Sequence, residues 1–408
     1  MILNFTGGAR PNRRTLYGKH KIKNIEKCSV ICILAEDNAR ACIPNSTAVK
    51  RGTLLGENAG TPVYSSVNGV FRGITAIEGK KYFVVMANSD FANGVERVHQ
   101  PETRSITNLT REDIIESAKK FAIIDSRSGQ PLWKMLSNIG DNCRRLVIDC
   151  TETDAECAIN YRLCIDKAKS LVGGAKVLIQ ATGALKCVFA AEYYRNTAFK
   201  HIAEYANDNK LFALAQLDEK YPYGDNALME ALYIKSLQKG QTALDLGVFV
   251  VAPETVIALY DAMVSGIPQL DRYVSVCFNN TGKGGNFSMP RGMTLHDIIE
   301  CCGGLESGHF FAENSLLSGV RAKGVLTDKT RALISAKVLN KVQLPCISCG
   351  KCAEVCPVRL MPNEVLFNKD RSELKKYCIS CGACEFSCPS NIPLLSLIKG
   401  EENAVKEA

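Results

Sequence analysis

The sequence predicts a multidomain α/β protein with a cysteine-rich end, and three observations predict it. Short apolar runs alternate with glycine turns near the N-terminus, and helix and strand patterns alternate from about residue 108. Eight of the 19 cysteines fall in the last 63 residues. With 408 residues the chain has room for two to four compact domains. Its 46% apolar and 23% charged residues are those of a globular protein rather than a disordered one.

The first 105 residues are expected to form a small β module. Val49–Ile74 reads VKRGTLLGENAGTPVYSSVNGVFRGI, short apolar runs separated by glycine turns. The stretch is similar to the lipoyl or biotinyl carrier fold, a barrel-sandwich. Such carriers place a modified lysine in the turn after GTLLGE. Here that turn reads NAGTP and has no lysine, which points to a docking or scaffold role.

Residues 106–243 are expected to form an α/β domain around a central sheet. TREDIIESAKKFA opens a helix through a capping box of Thr110 and Asp113. RRLVIDC (144–150), AKVLIQA (175–181) and LFALAQLD (211–218) are strand-type runs. AINYRLCIDKAKSLVGG is expected to be a helix ending on its glycines, and KHIAEYANDN a further helix. Cys143, Cys150, Cys157 and Cys164 recur every seven residues. The strand and loop between them break any helical metal site, so they read as buried thiols.

Residues 244–320 suggest a small β-grasp module, with a helix capped by Thr294 and Asp297. Its TGKGG turn lacks the GK[ST] ending of a phosphate-binding loop. Cys301 and Cys302 read as structural. His20, His99, His201, His296 and His309 form no spaced metal motif. Arg321–Lys341, with six basic residues and one acid, reads as a solvated helix or linker.

The last domain, within 321–408, carries the chemistry. CISCGKCAEVCP (346–357) returns as CISCGACEFSCP (378–389). Both read C-x2-C-x2-C-x3-C-P, the spacing with which three thiolates wrap one [4Fe–4S] cluster while the fourth cysteine serves the other cluster. One cluster is therefore assigned to Cys346, Cys349, Cys352 and Cys388, and the other to Cys378, Cys381, Cys384 and Cys356. Gly350 and Gly382 let the backbone turn around each cluster. Paired zinc sites are the alternative for eight cysteines, but this spacing favours two [4Fe–4S] clusters and one-electron transfer. Cysteines at this density without a secretion signal also point to metal rather than disulfides.

The formal charge of +8 is modest, and no basic tract is interleaved with aromatics, which argues against nucleic acid. The most apolar run, Val248–Val264, is broken by Pro253, Glu254 and Asp261, so no membrane span is expected. The expected location is cytoplasmic, with peripheral attachment to the inner face of the plasma membrane through partners as the other option.

The order of these segments resembles the RnfC family, the C subunits of Rnf electron transport complexes. NFTGGARPNRRT is similar to that family's FxGGxHPPxxK start, and the α/β domain resembles the flavin- and NADH-binding subunit of respiratory complex I. GVFVVAPETVIALYDAMVSGIPQLDRYVSV looks like the segment before the family's ligand-binding (SLBB-type) β-grasp module. LMP after the first cysteine motif and IPL after the second complete the match.

The resemblance implies FMN and NADH at the α/β domain, two clusters beyond it, and other Rnf-type membrane subunits as partners. In place of the family's GLGGAGFPT loop, Ile123–Leu136 keeps only Gly129 and Pro131, with Trp133 just after. Bulkier side chains there are expected to fill space a flavin needs. Glu152 matches the first glutamate of an NAxECEP-type motif and Asp154 stands in for the second. YPYGDNALMEAL keeps Tyr221, Pro222 and Gly224 of a YPxGGEKQL motif. The alternatives are a soluble adaptor that couples a dedicated reductase, of the proline-reductase-associated type, to an NADH or ferredoxin pool, and a non-enzymatic cluster-bearing scaffold.

Overall fold

The computed structural model describes residues 1–11, 17–98, 109–140, 143–207, 209–278, 284–318, 320–337, 342–368 and 370–400. His99, residues 281–283 of the TGKGG turn and residues 338–341 lie outside these.

Two small antiparallel sheets make up the N-terminal module. One orders its strands Val30–Ala35, Lys80–Ala87, Gly69–Ile77, Ala48–Val49, and the other Arg40–Ala41, Leu54–Asn58, Thr61–Tyr64. Ala59 and Gly60, at φ 48° and 81°, turn the chain between Asn58 and Thr61, the left-handed pair that a two-residue hairpin needs.

A second layer is a parallel sheet in the order Phe212–Leu217, Lys186–Glu192, Arg145–Asp149, Val248–Val251. The strand Val248–Val251 is buried throughout, and the helix Pro253–Ser265 follows it. The sheet therefore continues past the boundary expected at residue 243. The runs RRLVIDC and LFALAQLD are strands, and the Thr110–Asp113 capping box starts the helix Arg111–Lys120.

AKVLIQA is not a strand, and Gly173 and Gly174 do not end a helix. One helix runs through them, Ala168–Thr182, and stops at Gly183 with φ 69°. The glycine pair instead admits the helix Pro253–Ser265. A Cβ on Gly174 would stand 2.2 Å from the Val256 carbonyl oxygen, and one on Gly173 would stand 2.4 Å from the Tyr260 ring. The strand Lys186–Glu192, beyond Gly183, supplies the pairing that AKVLIQA was expected to give.

The third layer is a five-stranded sheet ordered Ile22–Asn24, Gly284–Pro290, Asp271–Cys277, Ala332–Lys337, His309–Glu313. Asp271–Cys277 and Ala332–Lys337 lie parallel in the middle, and each pairs antiparallel with an outer strand. Thr294 accepts from the Asp297 backbone at the start of the helix Leu295–Cys301, as expected.

The basic run from Arg321 is thus no solvated helix or linker. Ala332, Leu333 and Ile334 are fully buried in its strand, because the charges of this run flank the apolar triplet rather than interrupt it. The sheet's core is continuous with that of the N-terminal module, where Ile31, Leu55, Phe71 and Phe83 join Val274, Val276, Phe311 and Leu333.

Residues 342–400 form a compact end domain around Cys352, Cys356, Leu360, Val365, Leu374, Cys384, Leu394 and Ile398. Between the two motifs lie a 3-10 turn, Pro362–Leu366, and the helix Ser372–Tyr377.

Candidate iron–sulfur sites and the adjoining cleft

The duplicated sequence folds into duplicated backbone. Gly350 and Gly382 both sit at φ 75°, each just before a one-turn helix, Lys351–Glu354 or Ala383–Phe386. Ser348 and Ser380, at φ 54° and 55°, take matching left-handed conformations. In each loop the serine N–H donates to the sulfur two residues before it, Ser348 to Cys346 and Ser380 to Cys378, both at 3.4 Å. The Leu360 N–H donates to the Cys356 sulfur at 3.3 Å. Such N–H···S contacts stabilise electron-rich sulfur and raise the potential of a ligated cluster.

The cysteines line two separate cavities. Cys346, Cys349, Cys352 and Cys388 surround one, with Ile347 and Leu394. Cys356, Cys378, Cys381 and Cys384 surround the other, with Ile379 and Leu395. In each cavity three cysteines of one motif meet the last cysteine of the other. Among the described residues no three His, Cys, Asp or Glu side chains gather as a single metal ion requires. The donor set fits a larger thiolate-bound group in each cavity.

The two cavities differ in their surroundings. The Gly350 loop is open, and a Cβ there would meet nothing within 4 Å. A Cβ on Gly382 would stand 1.5 Å from the Leu317 carbonyl oxygen. Gly7 packs on the Cys356 carbonyl, Asn226 Nδ2 donates to the Pro357 carbonyl at 2.7 Å, and Arg359 pairs with Glu230 at 2.8 Å. The second site is therefore clasped by the rest of the chain while the first faces outward, with Cys349 exposed.

Over residues 337–392 the chain matches the family described as 4Fe-4S dicluster domain, and over residues 126–261 that described as Nuo51 FMN-binding domain. It is 23% identical to the C subunit of a Na(+)-translocating ferredoxin:NAD(+) oxidoreductase complex from Acetobacterium woodii, across 74% of this chain and 76% of that one. It is 21% identical to the C subunit of an ion-translocating oxidoreductase complex from Buchnera aphidicola, across 90% and 82%. The corresponding protein of the proton-translocating ferredoxin:NAD(+) oxidoreductase complex of Clostridium ljungdahlii is 22% identical, across 91% and 86%. Over most of its length the chain is similar to the C subunits of Rnf-type complexes.

At the expected flavin loop, the side chains of Arg127 and Lys329 crowd the backbone that a flavin would approach. Arg127 Nε donates to Asp149 Oδ2 at 2.8 Å, and its Nη1 pairs with Asp225. The guanidinium bridges the end of strand Arg145–Asp149 and the start of helix Asp225–Tyr233, and it lines a cavity of 580 Å³ with Tyr223 and Arg331. Gly129 keeps its left-handed φ of 71°, but the Lys329 side chain lies across it, and a Cβ there would stand 2.8 Å from Lys329 Cε. Pro131 only precedes the helix Leu132–Ser137. Trp133 is not what crowds this loop: its Nε1 donates to Thr61 Oγ1 at 2.9 Å, so it faces the N-terminal module.

Glu152 and Asp154 lie just beyond the same strand. Glu152 Oε1 accepts from the Tyr161 N–H at 2.8 Å. Burial pushes its carboxyl up to about 7, against the attraction of Arg195. Asp154 accepts from Ser315 Oγ and the Leu316 N–H, both at 3.1 Å, which ties the α/β layer to the five-stranded one. Sequence reading missed Arg331 and Arg127 as site residues. Arg127 announces itself only as a charge in a glycine loop, and Arg331 reaches this cleft from the start of a strand some 180 residues downstream of Asp149.

The seven-residue cysteine series is buried, as expected. Cys150 neighbours Cys164, and Cys157 neighbours Cys277. Burial and these thiol contacts raise the Cys150 and Cys157 thiols well above the ordinary range, the opposite of a reactive cysteine.

Proposed function

We propose that this chain is the iron–sulfur electron-transfer subunit of an Rnf-type complex, with two [4Fe–4S] clusters. Cys346, Cys349, Cys352 and Cys388 would hold the first, and Cys378, Cys381, Cys384 and Cys356 the second. The observation that carries the reading is the pair of cavities, each lined by four cysteines drawn three-to-one from the two motifs. A [4Fe–4S] cluster supplies reversible one-electron uptake and release.

The chain's own residues set where that chemistry meets partners. Gly382, Tyr221 and Gly7 hold the second site against the body of the chain. The first lies under an exposed apolar surface of Val342, Leu344 and Ile347, where a redox partner would dock. Among the described residues no helix is long and apolar enough to cross a membrane, so attachment to a membrane complex would come through those partners. The order of the five-stranded sheet supports the β-grasp reading, and the two N-terminal sheets support the carrier-like one.

The crowded flavin loop favours a relay without flavin chemistry of its own. This keeps a second reading in play, the adaptor between a reductase and a ferredoxin or NADH pool.

Anaerobic purification with iron, sulfide and flavin analysis tests the proposal. Two clusters require about eight irons per chain, and the crowded loop requires no stoichiometric flavin. Cys388→Ser should abolish the same paramagnetic signal as Cys349→Ser, and Cys356→Ser the same signal as Cys381→Ser. Zinc in place of iron, or Cys388→Ser matching Cys381→Ser, would overturn it.

A further inference from the structure

Of the buried side-chain nitrogen and oxygen atoms without a hydrogen-bond partner among the described residues, four belong to three residues that line one cavity. They are Arg331 Nε and Nη1, Thr153 Oγ1 and Glu152 Oε2. Burying such groups unpaired costs about 1–3 kcal/mol each, and their gathering in one cavity points to a ligand that completes them.

The cavity's place in the fold points the same way. It measures 290 Å³ and lies between Thr151–Thr153, Tyr221–Tyr223, the loop Glu313–Ser315 and the second cysteine loop at Ile379–Cys381. Thr151–Thr153 follow the carboxyl end of strand Arg145–Asp149. That strand pairs with Lys186–Glu192 on one side and Val248–Val251 on the other. A crevice beyond the strand ends, where chain connections leave in opposite directions, is where open parallel sheets bind ligands.

The unpaired groups define the ligand's chemistry. Arg331 offers only donors, Glu152 Oε2 is an acceptor when ionised, and the Thr153 hydroxyl is both. A bare anion would satisfy Arg331 but offer Glu152 Oε2 no donor. Its four unpaired atoms call for a few polar groups set close together, which a small molecule supplies. A second cavity of 580 Å³, lined by Arg127 and Asp225, adjoins it and shares Tyr223, Arg331 and Ile379.

We propose that this cavity binds a small carboxylic acid that carries a hydroxyl or ammonium group beside its carboxylate. The carboxylate accepts from Arg331, and the adjacent donor reaches Glu152 Oε2 and Thr153 Oγ1. Bound there, the ligand lies against Ile379–Cys381, so its arrival is felt at the second cysteine site and not at the first. Only this last spectroscopic consequence rests on the iron–sulfur reading.

The test is anaerobic calorimetry on the full-length, iron-loaded protein with lactate, alanine, acetate, inorganic phosphate and FMN as probes. Lactate or alanine should bind at least about tenfold more tightly than acetate or phosphate, the value of one to two added hydrogen bonds. Arg331→Gln should weaken that binding by about tenfold or more, and Arg331→Lys should restore part of it. Thr153→Val should weaken it less. Bound ligand should shift the paramagnetic signal lost in Cys381→Ser and leave unmoved the one lost in Cys349→Ser.

Equal affinity for acetate, phosphate and the two acids would overturn the proposal, as would no binding of any probe or one FMN per chain. Iron content and both signals, read on the same samples, separate loss of the ligand site from failure of the cluster reading or of the variant to fold.

Discussion

Tyr221 Oη donates a 2.8 Å hydrogen bond to the backbone carbonyl of Cys381, joining the loop after the parallel sheet to the second cysteine motif. Tyr221 is buried, and burial raises its hydroxyl far above the ordinary range, so it stays protonated and remains the donor. Tyr221→Phe should cost about 1 kcal/mol of stability. It should also shift the second site's redox potential while leaving the first unchanged. Equal shifts at both sites in a potentiometric titration would mean that the bond does not separate them.

The two cysteine loops share a fold but not an environment, so the same substitution should act differently in each. At Gly350 the added methyl meets only the φ of 75°, a local strain of about 1 kcal/mol. At Gly382 the same strain is joined by a clash with the Leu317 carbonyl at 1.5 Å. Gly350→Ala should keep both clusters, whereas Gly382→Ala should loosen the second domain contact and lose about half of the iron. Limited proteolysis and iron analysis read the difference.

Arg127 holds Asp149, a carboxylate that is 1% exposed and also accepts from the Thr151 hydroxyl at 2.6 Å. Removing the guanidinium leaves that charge buried and short of a partner, which costs about 3–5 kcal/mol. Arg127→Met should therefore lower the thermal midpoint markedly. A double variant with Asp149→Asn should recover much of the loss, because it removes the stranded charge as well. A single variant as stable as the parent would show that the ion pair contributes nothing net.

Glu152 makes stability depend on pH in an unusual direction. Its folded carboxyl is raised to about 7, mainly by burial, above the ordinary value near 4.3. The folded state thus favours the protonated form. This contribution is fully present below the unfolded value and is lost as pH rises through about 7, a change on the order of 3 kcal/mol. Glu152→Gln should flatten that part of the profile and gain relative stability at pH 8. Denaturant unfolding of both proteins at pH 5 and pH 8 measures it.

The sequence by itself determined the cysteine ligand sets to be tested, because their spacing is local and each motif lacks the fourth ligand the other carries. Likewise Thr110 with Asp113 and Thr294 with Asp297 marked helix starts that the structure keeps, since a cap acts within one turn.

What only the tertiary structure decided depends on distant neighbours. Gly173 and Gly174 look like a helix end until Val256 and Tyr260 are seen to press against them. The run ALISAK looks like part of a charged linker until it is placed between two strands. Arg127 and Arg331 are unremarkable surface-type residues in the chain. Folding brings one onto Asp149 and Asp225 and leaves the other unpaired beside Glu152. Local propensity and spacing are written along the chain, whereas close packing and the pairing of buried charge are set by residues far apart in it.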